Sequence, residues 1–250
     1  DRVPNPLSHW DIFCDVLDNF GDAAVCWRLA RQLAEEYGLQ VRLWINDLRR
    51  LAQLAPEISP DASLQVVHGL TIRYWPTEFP SCSAADVVIE AFGCALPDVY
   101  IEAMAASKSR PVWINLEYLS AEAWTEDRHR MASPHPRLPL TKYFFFPGFS
   151  AQSGGLLREA GLSAARAAFQ NDHARQTAWA GSLALPAKGE ALTLSLFAYP
   201  SAPLASLFTA WAAGPPLHCY LPLSPFADAV ACALNRAPFQ PNEVFQIKNL

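Results

Sequence analysis

Two aspartates, Asp18 and Asp22, bracket Asn19-Phe-Gly21 directly after a short apolar run, Trp10-Asp-Ile-Phe-Cys14. Two carboxylates on a tight turn at the end of a strand could hold or deprotonate an acceptor at the mouth of a cleft. Gly21 lets the chain bend or approach a ligand closely. Asp22 also stands where a helix begins, so capping free amide donors is an equally physical role, and Asp18 could be an ordinary turn residue. The turn lacks the GxGxxG spacing of a dinucleotide site. Glu117 follows a second apolar run, Pro111-Val-Trp-Ile-Asn115, and could face the same cleft or serve a loop hydrogen bond. Phe197 and Tyr199, two residues apart, share one face of a strand. There they would either pack together in a core or offer a stacking platform to a nucleobase. Ser153-Gly-Gly155 before a helical stretch is a weak anion site; without a P-loop Lys it reads as a loop. The six histidines form no HExxH pair and no GxSxG elbow is present.

The elements that must position these groups alternate. Trp10 to Cys14 reads as a strand, Ala23 to Tyr37 as an amphipathic helix with Val25, Leu29, Leu33 and Tyr37 at four-residue spacing, and Gly38 as its stop. Further strands are expected at Gln40 to Ile45, Asp86 to Glu90, Pro111 to Asn115 and Tyr143 to Phe146. Helices are expected at Asp47 to Ala55, Pro97 to Ser107, Ser120 to Arg130, Leu156 to Ala160 and Ser163 to Trp179, with a proline-rich loop over Ser133 to Pro139. A fresh rhythm begins near Leu192, with strand Thr193 to Tyr199, helix Pro203 to Ala213, strand Leu217 to Leu221, helix Pro225 to Asn235 and strand Val244 to Ile247. Such alternation implies parallel βαβ units and a doubly wound sheet. Strands buried on both faces explain the unbroken apolar runs. The expected organisation is an α/β chain with a first domain over residues 1–185 and the start of a second over 186–250, the second holding too few elements to close a sheet of its own. Ligands of such folds bind beyond the carboxyl ends of the strands.

Composition narrows the class. The 250 residues are 51% hydrophobic and 17% charged, which suits packed globular domains. A net charge of −5 with no Lys/Arg-rich run offers no nucleic-acid footprint. The six cysteines form no CxxC and stand at no zinc spacing from histidine, which reads as buried thiols of a reducing compartment. With no run of ~20 apolar residues, the expectation is a cytoplasmic protein without membrane contact.

Several segments together resemble one family. They are Trp10-Asp-Ile-Phe-Cys14, Asp18-Asn-Phe-Gly-Asp22, Cys26-Trp-Arg-Leu-Ala-Arg-Gln-Leu33, Ile89-Glu-Ala-Phe-Gly-Cys94, Trp113-Ile-Asn-Leu-Glu-Tyr-Leu-Ser-Ala-Glu122, Tyr143-Phe-Phe-Phe-Pro-Gly-Phe149, Gly154-Gly-Leu-Leu-Arg-Glu159 and Leu196-Phe-Ala-Tyr199. In that order, from about residue 9 onward, they resemble the elongation factor P arginine rhamnosyltransferases. The resemblance implies a GT-B fold, two Rossmann-like domains facing a cleft. It implies transfer of L-rhamnose from dTDP-β-L-rhamnose to an arginine of elongation factor P, with inversion and without a metal or other cofactor, in support of translation through polyproline stretches. It maps the catalytic aspartates onto Asp18 and Asp22, the acceptor-binding residues onto Asn19, Phe20, Gly21 and Glu117, and the donor-binding aromatics onto Phe197 and Tyr199. The family's main donor segment, with a Gln and an Arg-Gly-Glu-Asp-Ser stretch, would lie beyond Leu250.

Carboxylates suit this chemistry. A guanidinium, with a pKa above ~12, is a poor nucleophile at neutral pH. A carboxylate can fix it in a bidentate pose and take its proton as the new C–N bond forms. Asp18 is expected as the closer base and Asp22 as the orienting acid, with the roles interchangeable. The alternatives are a GT-B enzyme with another donor or acceptor, and a non-catalytic α/β binding protein.

Overall fold

The structure, a computed structural model, describes residues 9–17, 20–183, 185, 191–196, 201–212, 214–215, 217–222 and 244–247. The chain divides into two compact units, Asp1–Ala160 and Gly161–Leu250.

In the first unit the opening strand β1 (His9–Cys14) leads to helix α1 (Gly21–Glu35), strand β2 (Gln40–Ile45) and helix α2 (Leu48–Leu54). A hairpin follows, β3 (Leu64–Val67) and β4 (Leu70–Tyr74), then β5 (Val87–Ala91), α3 (Asp98–Ala106), β6 (Val112–Leu116), α4 (Trp124–Arg128), β7 (Ala132–Pro134) and β8 (Thr141–Phe145). The sheet order is β3-β4-β2-β1-β5-β6-β8-β7. The six inner strands from β4 to β8 pair in parallel, and β3 and β7 add antiparallel edges. From β1 the chain runs outward through β2, then returns to place β5 on the other side. The strand order therefore reverses between β1 and β5, the switch point at which doubly wound sheets bind ligands.

Strand alternation sorts the apolar side chains into two cores. Ile12, Cys14, Leu43, Ile45 and Ile89 face α1 and α2 in one, while Phe13, Trp44, Val88 and Trp113 face Tyr100 and Met104 of α3 in the other. Consecutive residues of β1 thus bury on opposite faces, which is why its sequence shows no polar alternation. Burying each large side chain contributes about 1.5–3 kcal/mol before the entropy of ordering it. Within the second core Asp11 and Arg42 are direct cross-strand partners. Arg42 Nε and one terminal nitrogen donate to the two Asp11 oxygens at 2.7 and 2.5 Å, and the Tyr100 hydroxyl donates to the same carboxylate. Burial works against the Arg42 charge, but the hydrogen bonds and charge of Asp11 more than offset it and hold its pKa above the ordinary value.

The second unit contains α5 (Leu162–Gln170), α6 (His173–Ser182), β9 (Leu192–Ser195), α7 (Leu204–Ala212), β10 (Leu217–Pro222) and β11 (Val244–Ile247). Its three strands are parallel in the order β11-β10-β9, and β9-α7-β10 is the expected βαβ step. The helix expected over Pro225 to Asn235 lies outside the described residues.

Several local expectations are corrected. Leu156 to Ala160 is not helical. It is strapped along α1, where Gln32 Nε2 donates to the Arg158 carbonyl at 2.6 Å and the Ala160 amide donates to Glu36 at 2.8 Å. Side-chain partners from α1 satisfy backbone groups that a helix would otherwise pair. Ser120 to Arg130 shortens to α4, and the helix expected over Ser163 to Trp179 breaks at Asn171, where Asp172 caps α6 through the Arg175 amide at 2.9 Å. The hairpin of β3 and β4 turns on His68 and Gly69, at φ 52° and 78°, the paired left-handed geometry of a tight two-residue turn. Part of the proline-rich loop pairs as the edge strand β7.

Candidate functional site

β1 ends at the switch point, but Asp18 and Asn19 lie outside the described residues, as do Phe197 and Tyr199. Asp22, Phe20, Gly21 and Glu117 are described. Phe20 is the N-cap of α1, partly buried and without a side-chain capping bond, and Gly21 opens the helix rather than forming a left-handed turn. Asp22 is therefore the second helical residue. It is 1% exposed, and its carboxylate folds back out of the helix. Oδ2 accepts the Leu17 amide at 3.0 Å, and Oδ1 accepts the Tyr118 hydroxyl at 2.9 Å. The capping alternative is thus corrected: the side chain ties the turn before α1 to the segment after β6.

Glu117 takes the opposite direction. Asn115 Nδ2 donates to it at 2.6 Å, and its own amide donates to the Phe145 carbonyl at 2.8 Å. Successive residues beyond β6 alternate, so Glu117 continues the face of Trp113 and Asn115, while Tyr118 reaches toward α1. Burial pushes the Glu117 carboxyl above its usual range, against the Asn115 hydrogen bond and the Lys142 charge. Nearby, Glu90 is 3% exposed and accepts Trp113 Nε1 and Lys142 Nζ, each at 3.1 Å, and the Ala95 amide at 3.2 Å. The structure shows Asp22 bonded to Tyr118 and Glu117 bonded to Asn115.

Two residues that sequence reading did not single out complete the site. The turn after β5 carries three left-handed residues, Phe92, Gly93 and Ala95, at φ 56°, 65° and 55°. A left-handed aromatic residue is uncommon and is held only where its surroundings over-determine it. Here the Phe92 amide donates to the Leu116 carbonyl at 2.7 Å, and Ala95 is pinned by Glu90. The Phe92 ring stacks on Tyr118 with centroids 4.2 Å apart and planes 11° from parallel. The one sequence signal for Tyr118 was its place beside Glu117, where strand alternation would aim the two side chains at different faces.

On the α1 side, Arg28 grips Glu159 bidentately, both contacts at 2.7 Å, and this holds the Glu159 carboxyl down at about 2. Gly154 lies where an added Cβ would meet the Phe145 ring at 2.4 Å, so Ser153 to Gly155 is a close-packed loop rather than an anion site. Among the described residues no cluster of three or more His, Cys, Asp or Glu is placed to hold a metal, and no helix is long and apolar enough to cross a membrane.

Residues 10–250 match the family model described as "Elongation-Factor P (EF-P) rhamnosyltransferase EarP". A protein-arginine rhamnosyltransferase of Pseudomonas putida is 44% identical over 236 residues, covering 94% of this chain and 62% of that protein. One of Pseudomonas aeruginosa is 47% identical over 193 residues, 77% of this chain and 51% of that protein. A solved structure described as "Structural basis for EarP-mediated arginine glycosylation of translation elongation factor EF-P" aligns with a TM-score of 0.53 at 28% identity, over 96% of this chain and 60% of that one. The chain thus spans roughly half to two-thirds of the length of these relatives.

Proposed function

Because the chain belongs to the EarP family of elongation factor P rhamnosyltransferases, we propose that it carries the acceptor half of an enzyme that moves L-rhamnose from dTDP-β-L-rhamnose to one arginine of elongation factor P. The observation that carries this reading is the Asp22 carboxylate, buried at the switch point and held by Leu17 and Tyr118. A carboxylate shielded from water attracts a guanidinium more strongly than one in bulk solvent. It can also fix the planar cation in a single pose.

In the proposed reaction a guanidinium nitrogen attacks the anomeric carbon. The N–C bond forms as the bond from carbon to the diphosphate oxygen breaks, with inversion. The nitrogen's proton passes to the carboxylate pair of Asp18 and Asp22, and dTDP leaves. Asn19, Phe20, Gly21 and Glu117 would receive the acceptor, while Phe197 and Tyr199 of the second unit would receive the donor. The reading invokes no metal and no further cofactor. A cytoplasmic location fits the same reading, with support from the free thiols of Cys14, Cys26, Cys82, Cys94 and Cys219.

The test is incubation of the full-length protein with elongation factor P and dTDP-β-L-rhamnose, followed by peptide mass spectrometry. One deoxyhexose on one arginine, formed equally with a chelator present, is the expected result. No modification, or transfer only from a different nucleotide sugar, would overturn the assignment.

A further inference from the structure

Tyr118 is engaged at both ends yet remains 50% exposed, so it lines the surface of the switch point rather than the core. Its hydroxyl donates to Asp22 Oδ1 at 2.9 Å. Its ring lies flat on Phe92, whose left-handed backbone at φ 56° is anchored across the sheet to Leu116. A stacked ring has little freedom to swing, so the phenolic oxygen has a fixed position. An ionised carboxylate can only accept hydrogen bonds, so this contact sets the torsion of the Asp22 side chain while the Leu17 amide holds the second oxygen.

A related arrangement occurs elsewhere in the same sheet. At Asp11 one carboxylate accepts the Tyr100 hydroxyl and, at the same time, both arms of the Arg42 guanidinium at 2.7 and 2.5 Å. A tyrosine on one carboxylate oxygen is therefore compatible with bidentate capture of an arginine in this protein. Asp22 and Tyr118 repeat the pairing of a buried carboxylate with a tyrosine hydroxyl at the strand ends.

The geometry points to Tyr118 as a positioning residue for arginine transfer: its hydroxyl, held in place by the stack on Phe92, keeps the Asp22 carboxylate in the orientation that grips the acceptor guanidinium and takes its proton. This rests on the reading under Proposed function. Placement of a reacting group within a fraction of an ångström affects the chemical step far more than it affects docking of a whole protein substrate.

The experiment is steady-state kinetics of the full-length protein with elongation factor P and dTDP-β-L-rhamnose, for wild type, Tyr118→Phe, Phe92→Leu and Phe92→Tyr. Tyr118→Phe keeps the ring and the stack and removes only the hydroxyl. Its kcat should fall about tenfold to a hundredfold, the scale of a hydrogen bond to a charged group, with KM for elongation factor P within about twofold. Phe92→Leu, which loses the stack, should lower kcat by a smaller factor, and Phe92→Tyr should restore it. A merely structural role would instead lower the melting temperature and leave kcat per folded molecule intact. That outcome, or a Tyr118→Phe kcat within about twofold of wild type, overturns the positioning role while the transferase reading stands. A wild-type protein that transfers no rhamnose overturns both.

Discussion

Asp11 and Asp22 are both buried to 1% exposure, and both carry a tyrosine hydroxyl, but they sit in different surroundings. Asp11 lies within β1, matched across the sheet by Arg42 and closed in by α3. Asp22 lies beyond the strand, at the start of α1, and takes hydrogen bonds from the neutral donors Leu17 and Tyr118. The same chemical group serves as an internal ion pair in one place and faces the ligand-binding end of the sheet in the other. Depth in the sheet makes the difference. A charge inside the sheet must be paired by the fold itself, because desolvating it otherwise costs several kcal/mol. A carboxylate at the strand ends can be held by donors of the flanking segments, as Leu17 and Tyr118 hold Asp22.

The sharpest way to break this contrast is Asp22→Asn. Turnover in the full-length protein should fall about 10²- to 10⁴-fold, the span of acid–base catalysis by a positioned carboxylate pair, as read by rhamnose transfer to elongation factor P. Near-normal turnover would make Asp22 a second structural aspartate. Asp11→Asn should behave in the reverse way. Leaving the half-buried Arg42 without its counter-charge should cost about 2–3 kcal/mol of stability, less than a fully buried pair, measured by urea unfolding, while the KM of the folded fraction is unchanged.

A third guanidinium pair, Arg28 with Glu159, tests what exposure does, because its side chains are 42% and 30% exposed. Glu159→Gln should cost only about 1 kcal/mol or less at pH 7. The folded pKa of Glu159, about 2, lies below its unfolded value of ~4.3, so the ionised form stabilises the fold above ~4.3. That contribution should fade as pH falls toward 2, where the wild-type and variant unfolding curves should converge.

Glu117 should show the smallest effect on stability, with the opposite sign. Its folded pKa is raised, so its ionisation disfavours the fold once pH exceeds the unfolded value. Glu117→Gln should raise the melting temperature slightly at pH 7 and leave it unchanged below ~4, where wild-type Glu117 is protonated in both states. The KM for elongation factor P should rise several-fold if Glu117 meets the acceptor.

The two-core sheet was legible in the sequence because local signals agreed. Trp10 to Cys14 and Gln40 to Ile45 are apolar on both faces, and four-residue spacing marked α1. The Leu156 to Ala160 segment was not legible. Its residues suit a helix, and hydrogen bonds from Gln32 and Glu36, with the Arg28 grip on Glu159, all from more than 100 positions away, hold it out of one. Asp22 was recognised as a candidate, but its sequence position pointed to a cap, and the bond to Leu17 that excludes this depends on how the turn folds back.

By itself, the sequence determined the βα order, the family and the presence of carboxylates at the end of β1. These follow from periodicity, motif order and residue type, all of which are local. Tertiary structure alone decided that Tyr118, 96 positions from Asp22, donates to it. It alone decided that Phe92 braces that tyrosine from a left-handed turn. Those facts depend on β1, β5 and β6 standing side by side and on which way each side chain leaves its strand. No spacing along the chain encodes that, because the distances are set across the sheet.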